Sequence, residues 1–151
     1  MTEQTGKCMC GNVRFTARDM PSEYGVCHCE MCRRWTGSAL LGVSVPEGNV
    51  TWTGEDHISR LQSSDWAERA WCKTCGTGLW FKVTMESKWS GNYEIPLGLF
   101  DQANGFTMNS EIYIDHKPDS FAYAGEGRTV MTRQQCVEMF GVLDSDGETS
   151  K

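Results

Sequence analysis

The sequence lacks any long apolar segment. No uninterrupted apolar run approaches the roughly 20 residues that a membrane-spanning helix requires. The segment Met1 to Lys7 also has no apolar core, which a secretory signal peptide needs. These absences predict a soluble, cytoplasmic protein that does not enter a membrane.

Positive charge is scarce and scattered. The chain has 14 lysine and arginine residues against 20 aspartate and glutamate residues, for a formal net charge of -6, and its longest basic run is Arg33-Arg34. Binding to a phosphate backbone requires a concentrated basic face, so nucleic acid is a poor candidate partner.

The cysteines are too few and too tightly spaced for a secreted disulfide scaffold. The eight cysteines are about 5% of the 151 residues, below the roughly 8–10% typical of such scaffolds. Closely spaced cysteines are awkward disulfide partners, whereas Cys-x-Cys and Cys-x2-Cys segments let thiolates converge on one metal ion. The spacing therefore favours zinc. Seven cysteines fall into three clusters, which are Cys8 and Cys10; Cys27, Cys29 and Cys32; and Cys72 and Cys75.

The segment Cys72-Lys73-Thr74-Cys75-Gly76 is typical of a zinc knuckle. Two thiolates flank a tight turn, and Gly76 can adopt the positive φ that lets backbone amides face the sulfurs. The segment Cys8-Met9-Cys10-Gly11 can supply two further thiolates, because it also ends in glycine. We expect these four cysteines to form one closed, structural zinc site that ties the start of the chain to its middle.

A trio of cysteines remains, Cys27, Cys29 and Cys32. A zinc ion held by three protein ligands keeps a fourth position for water or substrate, as catalytic zinc does. The trio is therefore predicted to form an open catalytic site with one zinc ion. Together with the closed site, this makes two zinc ions per chain. Which clusters share an ion stays open. The alternative for the trio is a closed site, in which His28, His57 or His116 supplies a fourth ligand.

The histidines and the eighth cysteine are weaker ligand candidates. Neighbouring side chains of an extended segment point to opposite faces, so His28 should not bind the ion of the trio. His57 and His116 have no ligand spacing to another residue and are expected at the surface or in hydrogen bonds. Cys136 lies in the predicted C-terminal helix and is expected to be a small buried residue.

Short alternating segments predict a mostly β fold. Apolar and polar residues alternate through Asn12 to Arg18, as in a half-buried strand. Glu30 to Trp35 can form a helical turn or two, and Thr132 to Phe140, with Thr132 and Gln135 as a capping pair, is a convincing C-terminal helix. Further strands are expected in segments separated by Gly, Pro, Asn and Asp turn residues, at Ala39 to Val45, Val50 to Thr53, Ile58 to Gln62, Ala67 to Trp71, Leu79 to Thr84, Glu94 to Phe100 and Glu111 to Ile114.

These elements favour a β-sandwich of short antiparallel strands with one short C-terminal helix. We expect a single zinc-binding domain over residues 1–143, since the chain contains no linker between domains. Residues 144–151 have almost no apolar content and are expected to form a disordered tail.

Three blocks carry the clustered cysteines: Gly6 to Phe15, Cys27 to Ser38 and Trp71 to Leu79. In order, spacing and flanking residues they resemble the family of glutathione-dependent formaldehyde-activating enzymes, whose domain also occurs in centromere protein V. A looser likeness extends through Leu97 to Asp101 and Ile112 to Pro118. The resemblance implies a zinc-binding β-rich fold of the β-tent type. It also implies one zinc ion on each of two ligand sets, which are Cys8, Cys10, Cys72 and Cys75, and Cys27, Cys29 and Cys32.

The resemblance further implies the joining of glutathione to formaldehyde, formally a carbon–sulfur lyase reaction in reverse. The expected function is therefore a zinc-dependent carbon–sulfur lyase-type enzyme. Its expected substrates are a low-molecular-weight thiol such as glutathione and formaldehyde or a related small aldehyde. The alternative is a non-catalytic zinc domain that binds a partner or senses thiols or redox state, which a fourth protein ligand on the trio would favour.

Arg33 and Arg34 directly follow the trio and are candidate substrate contacts. Three thiolates around Zn(II) carry a net negative charge, which a positive neighbour would offset. A guanidinium group can also grip a substrate carboxylate. In the alternative, which the sequence supports equally, Arg33 and Arg34 are solvated or paired with acidic residues.

Overall fold

Short strands dominate the computed structural model, which describes residues 3–144 and 146. The helices of this part are α1 (Glu30–Thr36) and α2 (Arg133–Phe140), and neither is long and apolar enough to cross a membrane. The predicted mostly β fold is confirmed. The strands are β1 (Gln4–Lys7), β2 (Arg14–Ala17), β3 (Glu23–Cys27), β4 (Leu40–Pro46), β5 (Val50–Thr53), β6 (Ile58–Gln62), β7 (Ala67–Cys72), β8 (Gly78–Val83), β9 (Asn92–Pro96), β10 (Thr107–Ile112) and β11 (Thr129–Met131).

The described strands form a small sheet and a large sheet. The small sheet has the order β1-β2-β5, and the large sheet has the order β11-β10-β3-β4-β9-β8-β7-β6. Most neighbours are antiparallel as predicted, but β10 runs parallel to both β3 and β11. Parallel neighbours need a long connection between them, so local sequence patterns do not indicate such pairs.

Strand bounds agree best where a turn residue ends the pattern. The strands predicted at Val50–Thr53 and Ile58–Gln62 have the observed bounds. The strand predicted over Glu94 to Phe100 ends at Pro96. Proline has no backbone N–H group to donate to a neighbouring strand, and a short 3₁₀ turn follows it. The prediction missed β1, β3 and β11, which are short or contain little alternation.

One face of the large sheet packs against the small sheet. Val43 and Val45 of β4 and Ile95 of β9 are fully buried on this face. Trp80 of β8 contacts Trp52 of the small sheet, with their ring centroids 4.7 Å apart. This apolar layer is the main core, and its burial is the principal favourable term in folding.

The opposite face of the large sheet carries the cysteine trio. Side chains alternate along a strand, so Leu40, Gly42 and Ser44 of β4 point away from the main core. Cys27 pairs with Leu40, and Glu94 of β9 pairs with Ser44. These residues therefore share one face, which α1 and α2 partly cover.

The C-terminal helix begins as predicted. The Thr132 hydroxyl accepts a hydrogen bond from the Gln135 backbone N–H, and the Gln135 side chain accepts one from the Thr132 backbone N–H. This reciprocal pair satisfies two helix N–H groups that have no partner within the helix. Cys136 is fully buried, as expected.

The residues after α2 return to α1. The Asp146 carboxylate accepts a hydrogen bond from the Glu30 backbone N–H at 2.7 Å, and Asp144 accepts one from Arg133 at 2.7 Å. Residue 145 and residues 147–151 of the expected tail lie outside the described residues. The division into a domain and a tail stays a prediction.

Candidate active site

Two turns that are distant in sequence bring together Cys8, Cys10, Cys72 and Cys75. Their four Sγ atoms lie within 4.8 Å of one another, with 3.6 Å between Cys8 and Cys10 and 3.8 Å between Cys10 and Cys72. A disulfide requires about 2.05 Å. Sulfurs about 2.3 Å from one tetrahedral ion lie about 3.8 Å apart. The donors fit a closed metal site, and all eight cysteines are free thiols.

Local hydrogen bonds favour the thiolate forms of Cys8 and Cys75. The Val13 backbone N–H donates to Cys8 Sγ at 3.3 Å. The Thr77 hydroxyl lies 3.2 Å from Cys75 Sγ, and this contact lowers the pKa of Cys75 to about 5. Gly76 has a φ of +83°, which confirms the predicted turn. A thiolate is the form in which cysteine binds a metal ion.

The trio lies where β3 meets α1. The Sγ atoms of Cys27, Cys29 and Cys32 lie within 4.8 Å of one another. Cys27 ends β3, and Cys29 caps α1, where its sulfur accepts a hydrogen bond from the Cys32 backbone N–H at 3.4 Å. Among the described residues, no fourth Cys, His, Asp or Glu joins this group. The arrangement fits a metal ion that keeps one free position.

None of the three histidines, all of which are described, joins either sulfur cluster. His28 is buried, and its Nε2 atom lies 2.8 Å from Glu111 Oε1. His57 contacts the Thr74 hydroxyl, and His116 contacts Asp146. The described residues therefore do not support a closed site completed by histidine.

A buried charge network holds the backbone next to the trio. Glu111 Oε1 contacts His28, and Glu111 Oε2 accepts a hydrogen bond from Arg128 Nε at 2.6 Å. Burial alone would raise the pKa of Glu111, but its hydrogen bonds with His28 and Arg128 lower it below the ordinary value. The Tyr123 ring stacks on His28 at 5.9 Å between centroids. The network fixes His28 and thereby the two cysteines beside it.

Arg69 of β7 places positive charge against the trio. Its side chain is buried, and its Nη1 and Nη2 atoms lie 3.8 and 3.7 Å from Cys32 Sγ. The guanidinium lies over the rings of Trp35 and Phe81, 4.9 and 4.7 Å from their centroids. Hydrogen bonds from the other two thiols lower the pKa of Cys32 well below its ordinary value, against burial, and Arg69 lowers it further.

Arg33 and Arg34 occupy different positions from Arg69. Arg34 Nε lies 2.9 Å from Glu30 Oε2 in an exposed ion pair, and neither Arg33 nor Arg34 lines the cavity beside the trio. Their contact with a substrate stays a prediction that the cavity does not support. Sequence analysis missed Arg69 because it lies 37 residues from Cys32 and reaches it only through the folded sheet.

A cavity of about 490 Å³ opens beside the trio. Cys27 and Cys32 are among the residues that line it, and strands of the large sheet form its floor. Its volume lies in the range of small-molecule sites. Apolar side chains from four parts of the chain form its walls, among them Trp66, Phe81, Trp89, Phe140 and Leu143.

Glu94 is an acidic side chain in the cavity floor. The Ser44 hydroxyl lies 2.6 Å from each of its carboxylate oxygens, and burial raises the pKa of Glu94. Gly42 is its neighbour toward the trio, and a methyl group added there would lie 3.6 Å from Glu94 Oε1. Because Gly42 has no side chain, the floor between the trio and Glu94 is open.

Residues 3–116 match the model of a family described as glutathione-dependent formaldehyde-activating enzyme. Both cysteine clusters lie inside the matched segment, whereas Phe140 and Leu143 of the cavity wall lie beyond it. The chain is also 31% identical over 126 residues to a Schizosaccharomyces pombe protein named as an uncharacterized lyase. That alignment covers 83% of this chain and 89% of the relative.

Proposed function

Because the chain belongs to the family of glutathione-dependent formaldehyde-activating enzymes, we propose that it is a zinc-dependent carbon–sulfur lyase-type enzyme. It adds a low-molecular-weight thiol, such as glutathione, to formaldehyde or a related small aldehyde. The observation that carries this proposal is the position of the trio, whose three sulfurs lie within 4.8 Å of one another and two of whose cysteines, Cys27 and Cys32, line a cavity of about 490 Å³.

Both sulfur clusters suit zinc, which prefers tetrahedral sites with sulfur or nitrogen donors. Bound zinc lowers the pKa of a coordinated thiol and polarises a carbonyl oxygen, and thiol addition to an aldehyde uses both effects. The structural ion is assigned to the four-cysteine set and the catalytic ion to the trio, with ligands Cys8, Cys10, Cys72 and Cys75 for the first and Cys27, Cys29 and Cys32 for the second.

The surrounding side chains hold the trio and exclude water from it. Arg69 donates toward Cys32 Sγ and adds to the lowering of its pKa, which favours the anionic form of that sulfur. Trp35 and Phe81 cover the guanidinium, and a charge contact shielded from water is stronger than an exposed one. The aromatic walls of the cavity keep water away from a bound aldehyde, for which hydration competes with thiol addition.

Adduct formation tests this proposal directly. We expect the pure zinc-loaded protein to accelerate formation of S-hydroxymethylglutathione from glutathione and formaldehyde, followed by NMR against the spontaneous reaction. Gly42→Val should lower the rate at least about tenfold with unchanged zinc content, because the valine fills the open floor. The control is Gly48→Val, since a side chain at Gly48 meets no atom within 4 Å. A wild-type rate equal to the spontaneous rate would remove the proposed activity.

Arg69 is expected to determine how tightly the trio keeps its ion. Arg69→Met preserves an apolar stem between the two rings but removes the charge, so zinc affinity of the second site should fall roughly 10–100-fold. The measurement is zinc release to a chromogenic chelator. The matched control is Arg60→Met, because Arg60 also lies over a tryptophan, Trp80, but is 55% exposed and outside the site. Equal zinc retention by the two variants would contradict the role of Arg69.

A further inference from the structure

Among the described residues, the charged side chains that line the cavity are all acidic. Glu23 and Glu94 are the charged side chains among the described residues that line it, and no lysine, arginine or histidine joins them. Arg69 lies outside this lining, with its charge directed at Cys32. A negative wall attracts cations and repels carboxylates.

Within the part of the chain that the structure describes, Ser44 is the hydrogen-bond partner of the Glu94 carboxylate, which lines the cavity. Ser44 Oγ lies 2.6 Å from both carboxylate oxygens but has one proton, so it can donate to one oxygen at a time. The other oxygen can accept a hydrogen bond from a ligand. Because a carboxylate that accepts from a protonated amine makes a strong, charge-assisted bond, an ammonium group is the best partner for this position.

The distance between the two polar ends sets the length of the ligand. Leu40 pairs with Cys27, and Gly42 lies two residues further along β4, or about 7 Å at the rise of a strand. Glu94 extends over Gly42. Aromatic rings such as Phe81 and Trp66 line the cavity, so it favours an apolar linker.

We propose that the cavity binds an apolar molecule with a protonated amine held by Glu94, in preference to an anionic thiol such as glutathione. The inference rests on the proposed function only in placing the reacting thiol or aldehyde group at the trio. Glutathione carries two carboxylates and one ammonium group at neutral pH, and the cavity offers its carboxylates no positive partner. Phe140 and Leu143 add apolar wall from beyond residues 3–116, the segment that matches the family.

The test compares three probes with one phenylethyl skeleton: 2-phenylethylamine, 3-phenylpropionate and 2-phenylethanol. Binding is followed by tryptophan fluorescence, since Trp66 and Trp89 line the cavity, and by calorimetry. We expect the amine to bind at least about tenfold more tightly than the acid, with the alcohol between them. In Glu94→Gln, which keeps the shape of the side chain and loses its charge, the preference should fall to about threefold or less.

The matched control is Glu47→Gln. Glu47 also pairs with a polar neighbour, Lys82 at 2.8 Å, but lies outside the cavity, so this variant should keep the full preference. Thermal melts establish that each variant is folded. Equal binding of amine and acid by the wild type, an unchanged preference in Glu94→Gln, or no binding of any probe would each overturn the inference.

The result is independent of catalysis because no aldehyde or thiol is present. An amine preference without accelerated thiol addition to formaldehyde, either with glutathione or with a thiol that carries no carboxylate, would overturn the proposed enzymatic function alone. Formation of the glutathione adduct by a protein without the amine preference would overturn this inference alone.

Discussion

Replacing Cys72 by serine will unfold the protein. Cys72 is fully buried at the end of β7, and its sulfur lies 3.8 Å from that of Cys10, which is 62 residues away in sequence. The ligands cannot assemble in the unfolded chain, so the binding free energy of the ion contributes to folding. That contribution is about 10–16 kcal/mol for small zinc domains, as large as the roughly 5–15 kcal/mol total stability of an ordinary domain.

The measurement is a thermal melt by circular dichroism together with the zinc content. We expect Cys72→Ser to be insoluble, or to melt more than about 15 °C below the wild type. The control is Cys136→Ala, because Cys136 is equally buried but belongs to neither sulfur cluster. That control should keep two zinc ions and lose about 1–2 kcal/mol of stability. Similar melting temperatures for the two variants would show that the four-cysteine cluster does not stabilise the fold.

Replacing Cys27 by serine will abolish activity while the fold remains. Cys27 is partly exposed, ends β3 and lines the cavity, and its two partner ligands lie only two and five residues away in sequence. Loss of this short-range site frees no distant segment of the chain. A serine hydroxyl remains protonated near neutral pH and is a poor replacement for a thiolate ligand.

We expect one zinc ion per chain in Cys27→Ser, a melting temperature within about 5 °C of the wild type, and a rate of adduct formation at least about 100-fold lower. Zinc content by mass spectrometry and the NMR assay provide the two readouts. Cys136→Ala serves again as the control, with two ions and wild-type activity. Full activity in a Cys27→Ser protein that holds one ion would exclude the trio from catalysis.

The two predictions differ because the two clusters differ in chain separation. The four-cysteine cluster joins the turn after β1 to the turn after β7, whereas the trio lies within one strand-to-helix junction. Removing a long-range cross-link costs folding free energy, and removing a local one costs mainly the chemistry at the site. The structural and the catalytic assignments can therefore be tested separately.

Local patterns explain what could be predicted of the fold. The capping pair of Thr132 and Gln135 was predictable because a helix N-cap bonds to residues only two or three positions away. The observed bounds of Val50–Thr53 were predictable because alternation ends at turn residues there. The parallel pairing of β10 with β3 was not, since it joins segments more than 80 residues apart that carry no matching local signal.

The sequence by itself indicated the three cysteine clusters, since cysteines two to five positions apart can converge on one point. That Cys8 and Cys10 meet Cys72 and Cys75 depends on the fold. Only the tertiary structure decided which charged side chain contacts the trio and which one enters the cavity. Arg69 reaches Cys32, and Glu94 enters the cavity, because strand pairing and side-chain alternation bring distant residues onto one face of the large sheet. Arg33 and Arg34, although adjacent to the trio in sequence, do not line the cavity, whereas Cys32 on the same helix does.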